Sequence, residues 1–586
     1  MRFTPLRTAL AALLLVALGC SVTHSDIDHW RRTQRGPGKI TAVLIGPRYA
    51  RDLRVHAARA LIEMQHPNAN GLELLNQAMA ALPAPDREPI IHDMLPGLRD
   101  LMRGSAQQQS RSSSGPNELQ VRAKDGAFLL LRHASPEDRR ELANELLDWL
   151  LSDLNSRALA GEHTAEQIVA GIGASAADRL AQAYSSNDDV LRVSINISQL
   201  IVSVAHESAR DPAATRLVAV TNEIMGPVST ERLRTQARAL LVRSLGPTAV
   251  IPPDRLARST ETLRDQYLNV LFQAVQILNR PIGTDFLLSV AANTAHPVER
   301  RRTALTAIQG QVHESNAAGL LAIAAAPGDI DLRGLAVDRL GESHNPSVIP
   351  QMWQLWDTIN GGERQNVFTL RWKLGEAILK LAGPTAITTF AQHMAAPRVA
   401  PARPPPNSPP FEAFEGYTFA ETNGYALAVG DFTPLPRDVM RQVLQTATTP
   451  HVRAMGLLFL GAKGEAADLP RIEAFMNDTT VMTGAGWTTT AARGWTLGFV
   501  ALRARDSLRR LLQMPALPPP PHLATPPAPP PAAGAAPAAG AAPAGGAAPA
   551  AGAAPTAPGA PAVAAPPGAA AGPGAPAAGP AARRGR

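Results

Sequence analysis

The sequence predicts an all-α fold. From about residue 40 to residue 513 apolar residues recur at helical spacing, as at Leu374, Ala377, Ile378 and Leu381, which share one face of a helix. Patterns that alternate apolar and polar residues are scarce, and Pro and Gly separate the helical runs. We therefore expect a body of many short helices with little or no sheet.

Residues 1–19 are predicted to be an export signal. Arg2 and Arg7 supply its positive charge, and the apolar stretch that follows is shorter than the ~20 residues of a bilayer-spanning helix. The stretch ends in Ala17-Leu18-Gly19-Cys20, which resembles the lipobox of bacterial lipoproteins, and Cys20 is the single cysteine of the chain. This resemblance implies that Cys20 is acylated and that lipid anchors the mature protein.

The residue after the cysteine bears on localisation. Ser21 stands there rather than Asp, which by resemblance to Gram-negative lipoproteins favours the outer membrane of the cell envelope. The alternative interpretation is an ordinary cleaved signal peptide with an incidental cysteine. A single cysteine also excludes a disulfide framework.

Residues 20–38 are interpreted as a short disordered tether. A cluster of basic residues lies in this segment and directly after it, beside one tryptophan: Arg31, Arg32, Arg35 and Lys39 with Trp30. The segment is either a solvated linker or a basic contact with lipid headgroups or an anionic polymer.

A short pattern recurs within residues 39–514. It consists of an aliphatic residue, an Arg, a small residue three positions after the Arg, and an aliphatic residue four positions later. The clear copies centre on Arg54, Arg234, Arg333 and Arg453, and the weaker ones on Arg301 and Arg371. Arg301, Arg333 and Arg371 are separated by 32 and 38 residues, which is a spacing typical of helical repeats.

This pattern resembles HEAT-repeat proteins, in which two antiparallel helices form each unit of roughly 40 residues. The best match is 329–341, and the second is 450–461 with a partner helix at 466–476. The resemblance implies that residues 39–514 form an α-α superhelix, a HEAT-like solenoid whose units cover one another's open faces. We interpret the recurrent Arg as a polar group at the seam between repeats rather than as a ligand-binding residue.

Two segments interrupt the repeat. Residues 104–117 are rich in Gln and Ser and are predicted to form a flexible loop. Residues 396–437 are Pro-rich and then aromatic-rich, which we interpret as an insertion. Its candidate partner-binding residues are Phe411, Phe414, Tyr417, Phe419 and Tyr425. Because exposed aromatic side chains promote aggregation, either these residues fill a groove of the solenoid or they bind a partner.

Residues 515–586 consist mainly of Pro, Ala and Gly and contain no acidic residue. Four successive six-residue units end at Pro537, Pro543, Pro549 and Pro555. Such a composition supplies no hydrophobic core, so the segment is predicted to be disordered and partly polyproline II. It is either a spacer through the cell-wall layer or a passive tail.

The charge and the motifs exclude several classes of function. The chain has a net charge of +7, but the terminal segments carry most of it, which leaves a nearly neutral body and disfavours nucleic-acid binding. With one cysteine, a CxxC metal site is excluded, and the zincin, nucleophile-elbow and P-loop motifs are absent from the sequence. We therefore predict no catalytic residue, metal, cofactor or small-molecule substrate.

The sequence favours a lipid-anchored scaffold of the bacterial envelope that binds other proteins through its repeat surface. Two alternatives remain open. One is a HEAT-like enzyme of the lyase type with a site in the groove of the solenoid. The other is a structural lipoprotein that links the outer membrane to the cell wall through its tail.

Overall fold

The computed structural model describes residues 22–104, 116–204, 207–361, 367–396, 416–484, 486–487 and 494–524 of the chain. Within these residues the ordered elements are helices, and extended pairing is limited to two isolated bridges, His66 with Ala69 and Val481 with Thr496. The predicted all-α fold class is confirmed.

Thirteen helices lie in the first half of the chain. They are α1 (His24–Trp30), α2 (Gly36–Ile45), α3 (Arg51–Glu63), α4 (Gly71–Ala81), α5 (Ala84–Arg103), α6 (Glu118–Leu130), α7 (Pro136–Ser152), α8 (Leu154–Arg157), α9 (Ala165–Ile172), α10 (Ala174–Ala183), α11 (Asp188–Val204), α12 (Asp211–Met225) and α13 (Val228–Leu245).

Thirteen more helices follow. They are α14 (Pro253–Leu278), α15 (Pro281–Ala292), α16 (Val298–Ala307), α17 (Ala317–Ala325), α18 (Ile330–Gly341), α19 (Ile349–Gly361), α20 (Val367–Ala382), α21 (Ile387–Ala395), α22 (Phe419–Gly430), α23 (Arg437–Thr446), α24 (Pro450–Lys463), α25 (Leu469–Glu473) and α26 (Leu497–Leu511).

The helices alternate between two layers. From α14 onward the even-numbered helices contact one another in chain order up to α26, while α15 contacts α17 and α17 contacts α19 in the second layer. Between the layers α15 packs on α16, α17 on α18, α19 on α20, α23 on α24 and α25 on α26. Near the N-terminus α3, α5 and α7 follow one another in the same way, as do α2, α4 and α6. Helix pairs stacked in chain order form an α-α solenoid.

Five arginines connect the two helices of a pair. Each is the fourth residue of its helix, and each donates through Nε to a carbonyl oxygen in or directly after the last turn of the preceding helix. The pairs are Arg54 with Leu44 (2.9 Å), Arg139 with Leu131 (3.0 Å), Arg301 with Ala291 (2.6 Å), Arg333 with Ala324 (2.8 Å) and Arg453 with Ala447 (2.9 Å). We call these five residues the seam arginines.

The seam arginines satisfy a requirement of every α-helix. The last four carbonyl groups of a helix have no partner within it, and the helix dipole makes that end partly negative. A guanidinium group therefore both donates the missing hydrogen bond and supplies a favourable charge. The interpretation of the recurrent Arg as a polar group at the seam is confirmed for four of the six copies of the sequence pattern.

Two copies of the sequence pattern, at Arg234 and Arg371, do not form a seam hydrogen bond, and one seam arginine, Arg139, was not found by the pattern. Arg234 is exposed, and its guanidinium lies 3.8 Å from the carboxylate of Glu231 on the same helix. Arg371 instead forms an ion pair with Glu421 on α22. The sequence pattern missed Arg139 because Asp138, rather than an aliphatic residue, precedes it.

The small residue of the pattern permits close packing. Ala57, Ala304 and Ala336 are fully buried at this position. At Gly456, an added Cβ would lie 3.1 Å from the Cβ of Leu444 on α23, closer than side chains normally approach. A larger residue would separate the two helices of that repeat.

Residues 22–38 contain α1 and the start of α2, which corrects the prediction of a disordered tether over 20–38. Thr23 and Asp26 form a capping box that starts α1, and Ile27 on that helix is fully buried. Helix α1 packs on both α2 and α3. The physical reason is that one apolar side chain and one cap suffice for a short helix when neighbouring helices cover it.

The predicted insertion over 396–437 is also too long. Helix α22 contacts α20 and α24, so residues 419–430 occupy the position of a repeat helix. A capping box of Thr418 and Glu421 starts this helix, and Tyr425 and Val429 continue its buried face. Residues 397–415 lie outside the described residues, as do residues 105–115 of the predicted flexible loop.

The first residues of the predicted tail belong to the helical body. Arg505 donates to the Leu517 carbonyl at 3.3 Å, and Arg509 donates to the Pro515 carbonyl at 2.9 Å. The compact helical unit extends to Leu523. Residues 525–586, the greater part of the predicted disordered tail, lie outside the described residues.

Replacing a seam arginine should destabilise the solenoid. Arg333→Met removes the charged donor from the buried Ala324 carbonyl, which should lower the free energy of unfolding by about 1.5–3 kcal/mol. The matched control is Arg234→Met, because Arg234 occupies the same position of the sequence pattern but is exposed. Urea unfolding of the full chain followed by circular dichroism measures both effects. Equal losses in the two variants would show that the seam hydrogen bond contributes nothing.

Candidate binding surface

Some of the site residues predicted from the sequence lie in the core, and the others lie outside the described residues. Cys20, Phe411 and Phe414 lie outside the described residues. Tyr417 and Tyr425 are buried, with 3% and 0% of their surface exposed. For these two residues the burial favours the alternative that they fill the solenoid and corrects the prediction that they bind a partner, because a ring enclosed by its own chain cannot enter another protein's pocket. Phe419 is half-buried among other rings.

Tyr417 and Tyr425 belong to a buried cluster around one ion pair. Arg371 on α20 donates through Nε to Oε1 of Glu421 at 2.7 Å and through Nη2 to Oε2 at 2.9 Å. Its Nη2 also donates to the Gly416 carbonyl at 3.0 Å. The guanidinium lies over the Tyr417 ring at 4.1 Å, and the Tyr425 hydroxyl donates to the Arg371 carbonyl at 3.0 Å. Such a bidentate pair fixes α22 against α20.

Further aromatic rings pack beside this cluster. Phe419 packs on Trp487 and Trp495 with ring centroids 5.2 Å away in each case. The Trp487 indole donates to the Tyr417 carbonyl at 2.6 Å. Burial lowers the pKa of His451, which bonds through Nε2 to the Thr483 carbonyl at 2.7 Å. These contacts place the rings and the ion pair in the helical core, where they have a structural role.

A different region of the solenoid exposes apolar surface. Ser229, Leu233 and Ala237 form the buried face of α13. The next positions on that face are Leu240 and Leu241. Leu240 is nevertheless 52% exposed, and Leu241 is half-buried, because among the described helices α13 packs chiefly against α12 and α14.

The exposed surface continues past the end of the helix. Leu245 on the last turn is 42% exposed, and Val250 in the following loop is 91% exposed. We call residues 238–252 the α13 overhang. Its helical part repeats the spacing of a core-facing helix and lacks a covering neighbour in the described part of the chain. Several exposed aliphatic side chains within one short segment make it a candidate interaction site.

The charged residues within the α13 overhang itself are all basic. Residues 232–253 include four arginines and no acidic residue. Arg238 and Arg243 are both exposed. Neither side chain forms a hydrogen bond or ion pair with another described residue. Two cations therefore flank the aliphatic surface without internal neutralisation.

Sequence reasoning missed this surface. Leu233, Arg234, Ala237 and Leu241 were taken together as one copy of the repeat, which implied that the whole apolar face was buried. The available signal was the run of arginines without carboxylates, together with more aliphatic residues at 239–251 than one buried face requires.

Metal-binding clusters and membrane-spanning helices are both absent from the described residues. No three His, Cys, Asp or Glu side chains in that part of the chain are grouped so that they could hold a metal ion. None of the helices in the same part is both long and apolar enough to cross a bilayer.

Comparison with known proteins does not assign this chain to a family. No protein family matches the sequence, and no curated protein matches it either. An engineered protein of known crystal structure is 13% identical over 81% of this chain and 98% of its own, with a TM-score of 0.17. Importin beta, crystallised in an ammonium sulfate condition, is 11% identical over 82% of this chain and 63% of its own, with a TM-score of 0.24. No conclusion about fold or function rests on either similarity, because both TM-scores are low.

The structural role of the Arg371–Glu421 pair can be measured. Arg371→Met leaves the Glu421 carboxylate buried without its cation, which should lower the free energy of unfolding by about 3–5 kcal/mol. The double variant Arg371→Met with Glu421→Leu should be more stable than Arg371→Met alone, because no charge is then left unpaired. Arg258→Met, which breaks an exposed pair with Asp254, is the control and should change little. An Arg371→Met variant as stable as the control would contradict this role.

Proposed function

We propose that this chain is a lipid-anchored scaffold of the bacterial envelope that binds another protein through its helical solenoid and has no catalytic function of its own. The observation that carries the proposal is the α13 overhang, a helix face that continues beyond the core with no described neighbour to cover it. Stacked helical repeats present extended surfaces that commonly bind proteins. The buried ion pair and rings around Arg371 offer no open site for a substrate.

The chemistry of the α13 overhang specifies the partner. Leu240, Leu245 and Val250 offer aliphatic area to an apolar surface, and their exposure in water is unfavourable by ~25 cal/mol per Å² of area that a partner could cover. Arg238 and Arg243 favour acidic groups at the edge of that surface. We infer an amphipathic, acidic protein segment, of which a helix is the natural form because the overhang has the spacing of a helix-packing face.

The anchor is proposed from the resemblance of Ala17–Cys20 to a lipobox. An acylated Cys20 would hold the chain at a membrane by lipid, and Ser21 favours the outer membrane. Helix α1 begins at His24, only a few residues after the cysteine. An anchor at Cys20 would therefore hold helices α1 to α3, which we call the first repeat, close to the bilayer surface rather than at the end of a tether.

A photocrosslinking experiment tests the protein-binding surface. Benzoylphenylalanine placed at Leu240 of the full chain should give one discrete adduct in cells, and the crosslinked peptide should combine acidic and apolar residues. The control position is Leu511, because its side chain is 55% exposed, much like Leu240. Leu511 should give no such adduct.

A charge variant completes this test. Reversing both exposed cations, in Arg238→Glu with Arg243→Glu, should abolish the adduct at position 240 because the acidic partner is then repelled. Arg510→Glu, an exposed cation on α26, should leave the adduct unchanged. Crosslinking of position 240 to lipid, to a second copy of this chain or to nothing would overturn the proposal.

Replacement of the cysteine tests the anchor separately. Cys20→Ala should convert a processed outer-membrane protein into a soluble or unprocessed one, because the acyl chains supply the membrane affinity. Envelope fractionation with immunoblotting measures the distribution and size of the protein. If the Cys20→Ala variant still fractionates as a processed membrane protein, the lipoprotein assignment is wrong.

A further inference from the structure

The first repeat contains a polar cavity of about 660 Å³ between α1 and α3. Its lining residues are Asp28, Arg31, Arg32, His56, Arg59, Glu63 and Gln65. The cavity is thus lined by charged and polar side chains, unlike the apolar pockets that usually hold drug-sized ligands. Its volume is sufficient for a small polar ligand.

Two carboxylates hold most of the cations in place. Glu63 accepts from Arg31 at 2.9 Å and from Arg59 at 2.6 Å, so one carboxylate orients two guanidinium groups. Asp28 lies 3.0 Å from Nε2 of His56. Three arginines face two carboxylates, so the lining carries a net positive charge even with His56 neutral.

Among the arginines that line the cavity, Arg32 is the one without a carboxylate partner in the described residues. Its side chain is exposed, and it makes no hydrogen bond or ion pair with any other described residue. Beside it in the chain, Trp30 is half-buried, and the Lys39 ammonium lies 5.1 Å from the centre of its ring. Tryptophan next to basic residues is typical of protein surfaces at a membrane interface.

The cavity lies close in sequence to the predicted anchor. Three residues separate Cys20 from His24, the first residue of α1, and each residue of extended chain spans at most ~3.6 Å. With acyl chains on Cys20, the start of α1 would be held within about one and a half nanometres of the phospholipid headgroups. Arginine binds phosphate oxygens well because its planar group can donate two hydrogen bonds at once.

We propose that this cavity binds the phosphate of an anionic phospholipid headgroup, with Arg32 as the residue that contacts the phosphate directly and Arg31 and Arg59 held beside it by Glu63. The membrane source of the phosphate rests on the proposed lipid anchor, whereas phosphate recognition by the cavity does not. The bound headgroup would fix the orientation of the first repeat on the bilayer, which a flexible acyl chain alone cannot do.

Native mass spectrometry of the full acylated chain, purified in a nonionic detergent, tests the proposal. Phosphatidylglycerol, phosphatidylethanolamine and inorganic phosphate are each added as probes. Wild-type protein should retain one phosphatidylglycerol in preference to phosphatidylethanolamine. Arg32→Gln should weaken that retention about tenfold, the usual effect of losing one charge-assisted hydrogen bond. Because Arg32 has no internal partner, this variant should melt like wild type.

Arg35→Gln is the matched control, since Arg35 is an exposed arginine of the same segment that does not line the cavity. It should retain phosphatidylglycerol as wild type does. Equal losses in Arg32→Gln and Arg35→Gln, or no retention by wild type, would overturn the proposal. Retention of inorganic phosphate as strongly as the lipid would overturn the headgroup assignment and identify a site for free phosphate. None of these readouts depends on the α13 overhang, and the fate of the Cys20→Ala variant tests the anchor by itself.

Discussion

The hydrogen bond from an arginine near the start of one helix to a carbonyl at the end of the helix before it is the interaction on which the solenoid depends. Short helices leave a large share of their carbonyl groups without internal partners. A chain of 26 described helices therefore meets this problem at every turn of the array. Where a seam arginine is present, one side chain satisfies the carbonyl, opposes the helix dipole and fixes the angle between two helices.

This constraint explains why the fold could be predicted from the sequence. The seam arginine and the small residue after it recur at fixed spacing, so a repeat could be recognised without a close relative. Arg54, Arg301, Arg333 and Arg453 were identified in that way, and all four make the expected kind of contact. The pattern is local, and local patterns are what a single sequence reveals most reliably.

The errors arose where distant packing decides the outcome. Residues 22–38 were predicted to be a tether because Ile27 is an isolated apolar residue in the sequence. In the structure α2 and α3 pack against its helix, and Ile27 is buried. Residues 416–430 read as part of an insertion because their aromatic density is unusual. These aromatic residues belong to a buried core that contains the ion pair of Arg371 and Glu421. The two residues are fifty positions apart, so no local sequence pattern predicts that they pair. The exposed face of α13 was missed for the opposite reason, since its apolar spacing is that of a buried helix.

The same constraint limits where the protein can bind others. In the described residues most of the apolar surface is used between neighbouring helices, and much of the charge is used at seams or in ion pairs. The α13 overhang and the polar cavity of the first repeat differ from this, because their apolar or charged groups are not fully used in contacts within the chain. One offers aliphatic area flanked by free cations, and the other offers a cation-rich cavity beside the predicted anchor. In the proposed function, the cavity would contact the membrane at one end of the array and the α13 overhang would bind a protein further along it.

Hydrogen exchange of the full chain, measured by mass spectrometry on wild type and the Arg333→Met variant, tests most directly whether the seam bonds hold the solenoid together repeat by repeat. Because each unit contacts mainly its neighbours, the loss of one seam should raise amide exchange in α17, α18 and the helices next to them. Helices near either end of the array should exchange as in wild type. Exchange that rises uniformly along the whole chain, or does not rise at all, would contradict this account.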